Sequence, residues 1–215
     1  QYTWPVAQSL LFFTELRARD LYAKKTRQAL EDARALLLEA QDETGGWGHH
    51  RVNARDPAKD RRRKKWSSAM LATAQRYPST LVSSSATVAA SLGAHRASEK
   101  PRRKPDDHQS SEALRSARRY FATAQLDNGN FPYDPSQRTA HRSMTGVSRT
   151  GSALLAMYWL GFPKDDPHVE RSLAFVERHL DYLSEAHGSP ALMLMQSAWA
   201  LKLYDEEAWT AFRRH

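Results

Sequence analysis

The chain has 215 residues, 40% of them apolar, enough for one domain, taken as 1–215, with a sizeable core. It has no cysteine, which excludes a disulfide scaffold, a thiolate nucleophile and a Cys-ligated zinc site. Its longest apolar run, Ala153 to Leu160, falls far short of the roughly 20 residues that cross a bilayer. The formal net charge of +8 is concentrated: residues 51–104 carry fourteen Lys and Arg against Asp56, Asp60 and Glu99, a net +11, and the remainder is net −3.

A start at Gln1 rather than Met predicts a processed or excised product from which any targeting segment is gone. The compartment therefore stays open, with export as one reading. In chain order, Trp4-Pro5 precedes a helical pattern with Val6, Leu10, Phe13 and Leu16 on one face. A second helix is expected from about Thr26, read as its N-cap, with Leu30, Ala33, Leu37 and Ala40 as its stripe, ending at Gly45-Gly46. Residues 49–78 show no helical period and contain Asp60-Arg-Arg-Arg-Lys-Lys-Trp66, so they read as a basic loop. A helix of small residues follows from Ser79 to about Ala94, then a proline-punctuated basic loop at 95–109. Ser110 or Ser111 is the expected cap of the next helix, which runs to Gln125.

From Gly129 a polar loop leads into a helix apolar nearly all round, Ala153 to Leu160 at its heart. Pro163 and Pro167 bracket a turn, and Val169, Leu173, Val176, Leu180 and Leu183 form another stripe. Ala191 to Tyr204 is again apolar on every side, and Asp205 to His215 begins one more helix. A helix hydrophobic all round is buried, and one with a single stripe lies outside it. The pattern therefore predicts inner helices wrapped by outer ones.

Two helix ends repeat. Gln41-Asp-Glu-Thr-Gly-Gly-Trp47 and Gln125-Leu-Asp-Asn-Gly-Asn-Phe131 both spell Gln, three residues, Gly, one residue, aromatic, with a degenerate third copy at Leu180. Such self-similarity marks a repeat of helix pairs. The Gln is expected to bond carbonyls at the helix end, the Gly to turn the chain and the ring to cover the turn.

These segments resemble the QW motif of squalene-hopene and oxidosqualene cyclases, and more loosely the repeats of protein prenyltransferases. The resemblance implies an all-α fold, an α/α toroid of inner and outer helix hairpins. About four repeats are countable, a small or incomplete ring. The cyclases' Asp-x-Asp-Asp motif is missing, since Asp106-Asp107 and Asp165-Asp166 lack the leading aspartate, and the prenyltransferases' zinc ligand has no cysteine to supply it.

Loops after the outer helices should open at one end of the ring, bringing Trp47, His49, Tyr133, His141, Arg142 and Arg149 toward a shared pocket. Of these, Tyr133, His141 and Arg149 are the candidates for chemistry, while the bland reading makes Trp47 and Tyr133 turn covers. Adjacent His49-His50 point apart and no spacing marks a third ligand, so no metal site and no cofactor are expected. Asp134 before Pro135 reads as a turn former.

The expected function is a ligand- or partner-binding module, with anionic polymers such as an acidic glycan or a nucleic acid bound without sequence readout. Alternatives are a toroid enzyme of polysaccharide-lyase type, or a terpenoid-cyclase type with a nonstandard acid. Open ring edges would suit a protein partner or self-association. Arg61, Arg62, Arg63, Lys64 and Lys65, with Arg102, Arg103 and Lys104, are the polyanion candidates. Replacing them with alanine is expected to abolish a salt-sensitive retention on heparin while leaving the melting temperature nearly unchanged, because exposed charges contribute only about 0–1 kcal/mol. Retention that survives the substitutions or ignores salt would identify the cluster as a solubilising face.

Overall fold

The computed structural model describes residues 3–49, 80–99, 108–136, 146–185 and 189–214. Most of both basic segments, including Arg61 to Lys65 and Arg102 to Lys104, lies outside the described residues, as do His50, His141 and Arg142. The described residues are helical: α1 (Thr3–Ala18), α2 (Ala23–Glu39), α3 (Val82–Ser98), α4 (His108–Ala124), α5 (Gly146–Trp159), α6 (Pro167–Arg178), a 3₁₀ turn (Leu180–Tyr182), α7 (Pro190–Tyr204) and α8 (Glu206–Phe212). No strand occurs among them.

The helices form two layers. In the inner layer α1 packs on α3, α3 on α5 and α5 on α7, while α2, α4, α6 and α8 each pair with the inner helix before them. The patterning explains the division, because α4 buries Ala113, Leu114, Ala117, Tyr120, Phe121 and Ala124 along one face. By contrast α3 is buried from Val82 to His95 and α5 from Gly146 to Met157. The end helices α1 and α7 share no comparable packing, and Phe12 on α1 and Met195 on α7 stand 58% and 49% exposed.

Inner helices approach closely because their contact residues are small. A Cβ on Gly93 of α3 would lie 2.6 Å from the Trp159 Cβ on α5, and one on Gly151 of α5 would collide with Ser197 of α7. The accompanying hydroxyls are buried, and they bond within their own helices: Thr87 donates to Ser83 O at 3.1 Å, Ser91 to Thr87 O at 2.8 Å and Ser152 to Ser148 O at 3.1 Å. Satisfied in this way, they cost little to bury.

The two Gln-Gly-aromatic turns have the same geometry. Asp42 N–H bonds Gly46 O and Leu126 N–H bonds Asn130 O, both at 2.9 Å, with Gly45 and Gly129 at φ 92° and 87°. Each glutamine reaches beyond its own helix end to the next outer helix. Gln41 Nε2 donates to Ala113 O of α4 at 2.8 Å, and Gln125 Nε2 to His168 O of α6 at 2.7 Å. Gln125 Nε2 also reaches Ser172 Oγ at 2.7 Å, and its oxygen accepts from Arg171 at 2.8 Å. The expected bond to helix-end carbonyls is thus a staple between successive outer helices.

Local expectations differ in four places. Helix α3 runs to Ser98, so residues 95–98 of the loop expected at 95–109 are helical, because the buried face of α3 continues to His95. Helix α2 starts at Ala23, so Thr26 is not the cap; its hydroxyl returns to Tyr22 O at 3.1 Å. Helix α4 starts at His108, placing Ser110 and Ser111 inside it. Helix α1 buries Thr3, Ala7, Leu10 and Thr14 rather than Val6, Phe13 and Leu16, because close packing on α3 favours the face with small side chains. Gln125→Ala should cost about 1–3 kcal/mol by removing the bonds to the half-buried His168 carbonyl and the buried Ser172 hydroxyl. An unchanged urea midpoint would show that the staple carries no stability.

Candidate functional site

The site grows from the register between the two turns and the helices that follow them. Trp47 N–H donates to Ser85 Oγ in the first turn of α3 at 2.7 Å, and Phe131 N–H donates to Thr150 Oγ1 in the first turns of α5 at 3.1 Å. Two residues beyond each aromatic stand His49 and Tyr133, and one residue before each hydroxyl stand Ser84 and Arg149. The backbone then joins the repeats, since Val82 N–H donates to Tyr133 O at 3.2 Å and Leu81 N–H to Trp47 O at 3.0 Å. Equivalent residues of successive repeats meet as a result.

His49 Nε2 and the Tyr133 hydroxyl are 3.0 Å apart, with the rings edge to face at 6.3 Å between centroids. On its other side His49 Nδ1 lies 2.7 Å from Ser84 Oγ. The Arg149 guanidinium carbon stands 5.6 Å from the Tyr133 ring centroid, and Nε donates to Phe131 O at 3.1 Å. Ser84, His49, Tyr133 and Arg149 are therefore one continuous cluster across the α3–α5 junction.

Arg149 is its unusual member. It is 4% exposed on a helix buried from Gly146 to Met157, and it makes no ion pair with a carboxylate among the described residues. Burial pushes its pKa down to about 10, opposed only by the neighbouring Tyr133. Buried charges are ordinarily paired. The planar fork of a desolvated guanidinium that no acid engages matches the geometry of a carboxylate or phosphate.

The structure thus brings His49, Tyr133 and Arg149 together. Trp47 is elsewhere: it is fully buried under its own turn, and its ring N–H donates to Leu37 O at 2.7 Å. Asp134 accepts from the Ser136 amide at 2.9 Å and hydroxyl at 2.8 Å, the geometry of a turn former. No group of three His, Asp or Glu with metal-binding proximity occurs among the described residues. Ser84 was not legible beforehand; its only signal is its place one residue before Ser85, in repeat register with Arg149.

If Arg149 is present for a ligand and not for the fold, its removal should be cheap. Arg149→Met is expected to keep the unfolding free energy within about 1 kcal/mol of wild type or to raise it, since replacing buried charge by apolar volume is often neutral or stabilising. A loss above about 3 kcal/mol in denaturant titration would make the guanidinium structural. No protein-family model, curated protein or solved structure matches the chain.

Proposed function

We propose that the chain is a binding module of the squalene-cyclase repeat type, a small or open α/α toroid, whose site takes an anionic ligand at the α3–α5 junction. One observation carries this reading: Arg149 is buried, is held in place by Phe131 O and the Tyr133 ring, and has no carboxylate partner among the described residues. A carboxylate or phosphate on the ligand supplies the missing partner. Tyr133 offers a ring face to a sugar or base, and His49 a polar edge beside it. The basic segment at 51–65 follows His49 directly in the chain, which favours a polymeric anion over a lone ion.

A lyase-type toroid enzyme is the second reading, favoured by the 3.0 Å contact between His49 and Tyr133 beside a cation. Proton abstraction next to a uronate needs such a pair and such a charge. Calorimetric titration with oligogalacturonate, a heparin oligosaccharide and a neutral glucan of equal length separates these possibilities. The acidic ligands are expected to bind, the neutral one not, and Arg149→Met to weaken binding by about tenfold or more, the size of a charge-assisted bond. Equal binding of the neutral glucan, or an unaffected variant, would refute the anion site. Growth of an ultraviolet-absorbing unsaturated product during the titration would establish the lyase instead.

A further inference from the structure

We propose that Ser84 and His49 are a nucleophile–base pair that transfers the acyl group of small esters bearing an anionic group, a reading that rests on Arg149 as the anion receptor. The Ser84 hydroxyl, on the first turn of α3, lies 2.7 Å from His49 Nδ1 and makes no other side-chain hydrogen bond among the described residues. In the tautomer whose Nδ1 accepts that proton, Nε2–H donates to the Tyr133 oxygen at 3.0 Å, which orients the ring. A serine bonded to an imidazole that a third group orients is the arrangement that makes a hydroxyl nucleophilic.

The placement of Ser84 adds a second element. The first-turn amides of a helix have no intrahelical carbonyl to bond, and the N-terminus carries partial positive charge. The Ser83 and Ser84 N–H groups belong to that first turn, and in the proposed reaction they are the donors for the oxyanion of an adduct on Ser84.

The step balances without any co-reactant but water. Ser84 Oγ bonds to the ester carbonyl carbon as His49 Nδ1 takes the hydroxyl proton. The tetrahedral adduct collapses, the bond to the alcohol oxygen breaks, and the imidazolium returns the proton to the departing alkoxide. Water repeats the sequence on acyl-Ser84, releasing the acid and restoring the hydroxyl.

Arg149 sets the specificity. The imidazolium that forms in each half of the reaction develops beside a ring that already carries the Arg149 cation at 5.6 Å. That charge opposes it until an anion on the substrate pairs with the guanidinium. Esters with a carboxylate near the acyl carbon are therefore preferred over neutral esters of the same size.

The full chain is incubated with 4-nitrophenyl acetate and with 4-nitrophenyl hydrogen succinate, nitrophenolate release is followed, and the acylated residue is located by peptide mass spectrometry. The succinate ester is expected to be cleaved at least about tenfold faster in kcat/KM, the worth of one charge-assisted contact. The succinyl label should sit on Ser84, disappear in His49→Gln, and in Arg149→Met fall to the rate of the acetate. Ser84→Ala should lose release while keeping its helical circular dichroism. Release that persists in Ser84→Ala, or wild-type label found only on lysine or tyrosine, overturns the proposal, and the latter holds even if Ser84→Ala fails to fold. Oligogalacturonate binding without acylation of Ser84 overturns the acyl transfer alone, whereas absence of both removes the anion site on which it rests.

Discussion

The close approach of the inner helices governs what the rest of the chain can do. With Gly93 against Trp159 and Gly151 against Ser197, the α3–α5 and α5–α7 contacts leave no room for large side chains. Helix α3 and the first half of α5 are accordingly rich in Ser, Thr, Ala and Gly, and their interior hydroxyls bond to carbonyls one turn back. In the first turns Ser85 and Thr150 also accept the amides of the returning loops. Crowding thus fixes where the loops dock, and docking brings His49, Tyr133, Ser84 and Arg149 into contact.

Within this frame Arg149 runs against the economy of the fold. A buried ion costs several kcal/mol when no partner compensates it, a large part of the roughly 5–15 kcal/mol by which domains are stable. Its stacking on Tyr133 offsets about 2 kcal/mol at best, and its bond to Phe131 O about 1 kcal/mol. The deficit that remains is the free energy an anionic ligand would recover. Placing the cation on α5, packed by helices on both sides, keeps its fork fixed while the deficit persists.

The motif level of the fold was legible, because its physics is local. The Gln, Gly and aromatic of each turn act within a few residues, so Gln41 to Trp47 and Gln125 to Phe131 announce themselves by spacing. The burial of α5 could likewise be read from its composition. The face of α1 could not, since the choice between Leu16 and Thr14 depends on how near α3 comes. Trp47 was misplaced toward the site because spacing shows an aromatic at a turn but not which way its ring lies; its N–H is used on Leu37 O. Ser84 was invisible because its meeting with His49 depends on a register set across residues 50–79, with no local pattern to mark it.

Charge distribution separates two ways of holding an anion. Outside residues 51–104 the chain is net −3, and α3, which lies within that range, carries Arg96 as its one Lys or Arg, so the helices framing the site do not attract anions by their overall field. Arg149 acts through proximity and desolvation, and a contact inside the protein is weakly screened by salt. On the proposed polyanion reading, the +11 of residues 51–104 would act in the other regime, in which each phosphate or sulfate neutralised releases counterions and affinity falls steeply as salt rises. Because the basic run begins just after His49, one chain of anionic groups could engage both. Salt would then strip away the polymer contact first and leave a residual, charge-specific affinity at Arg149.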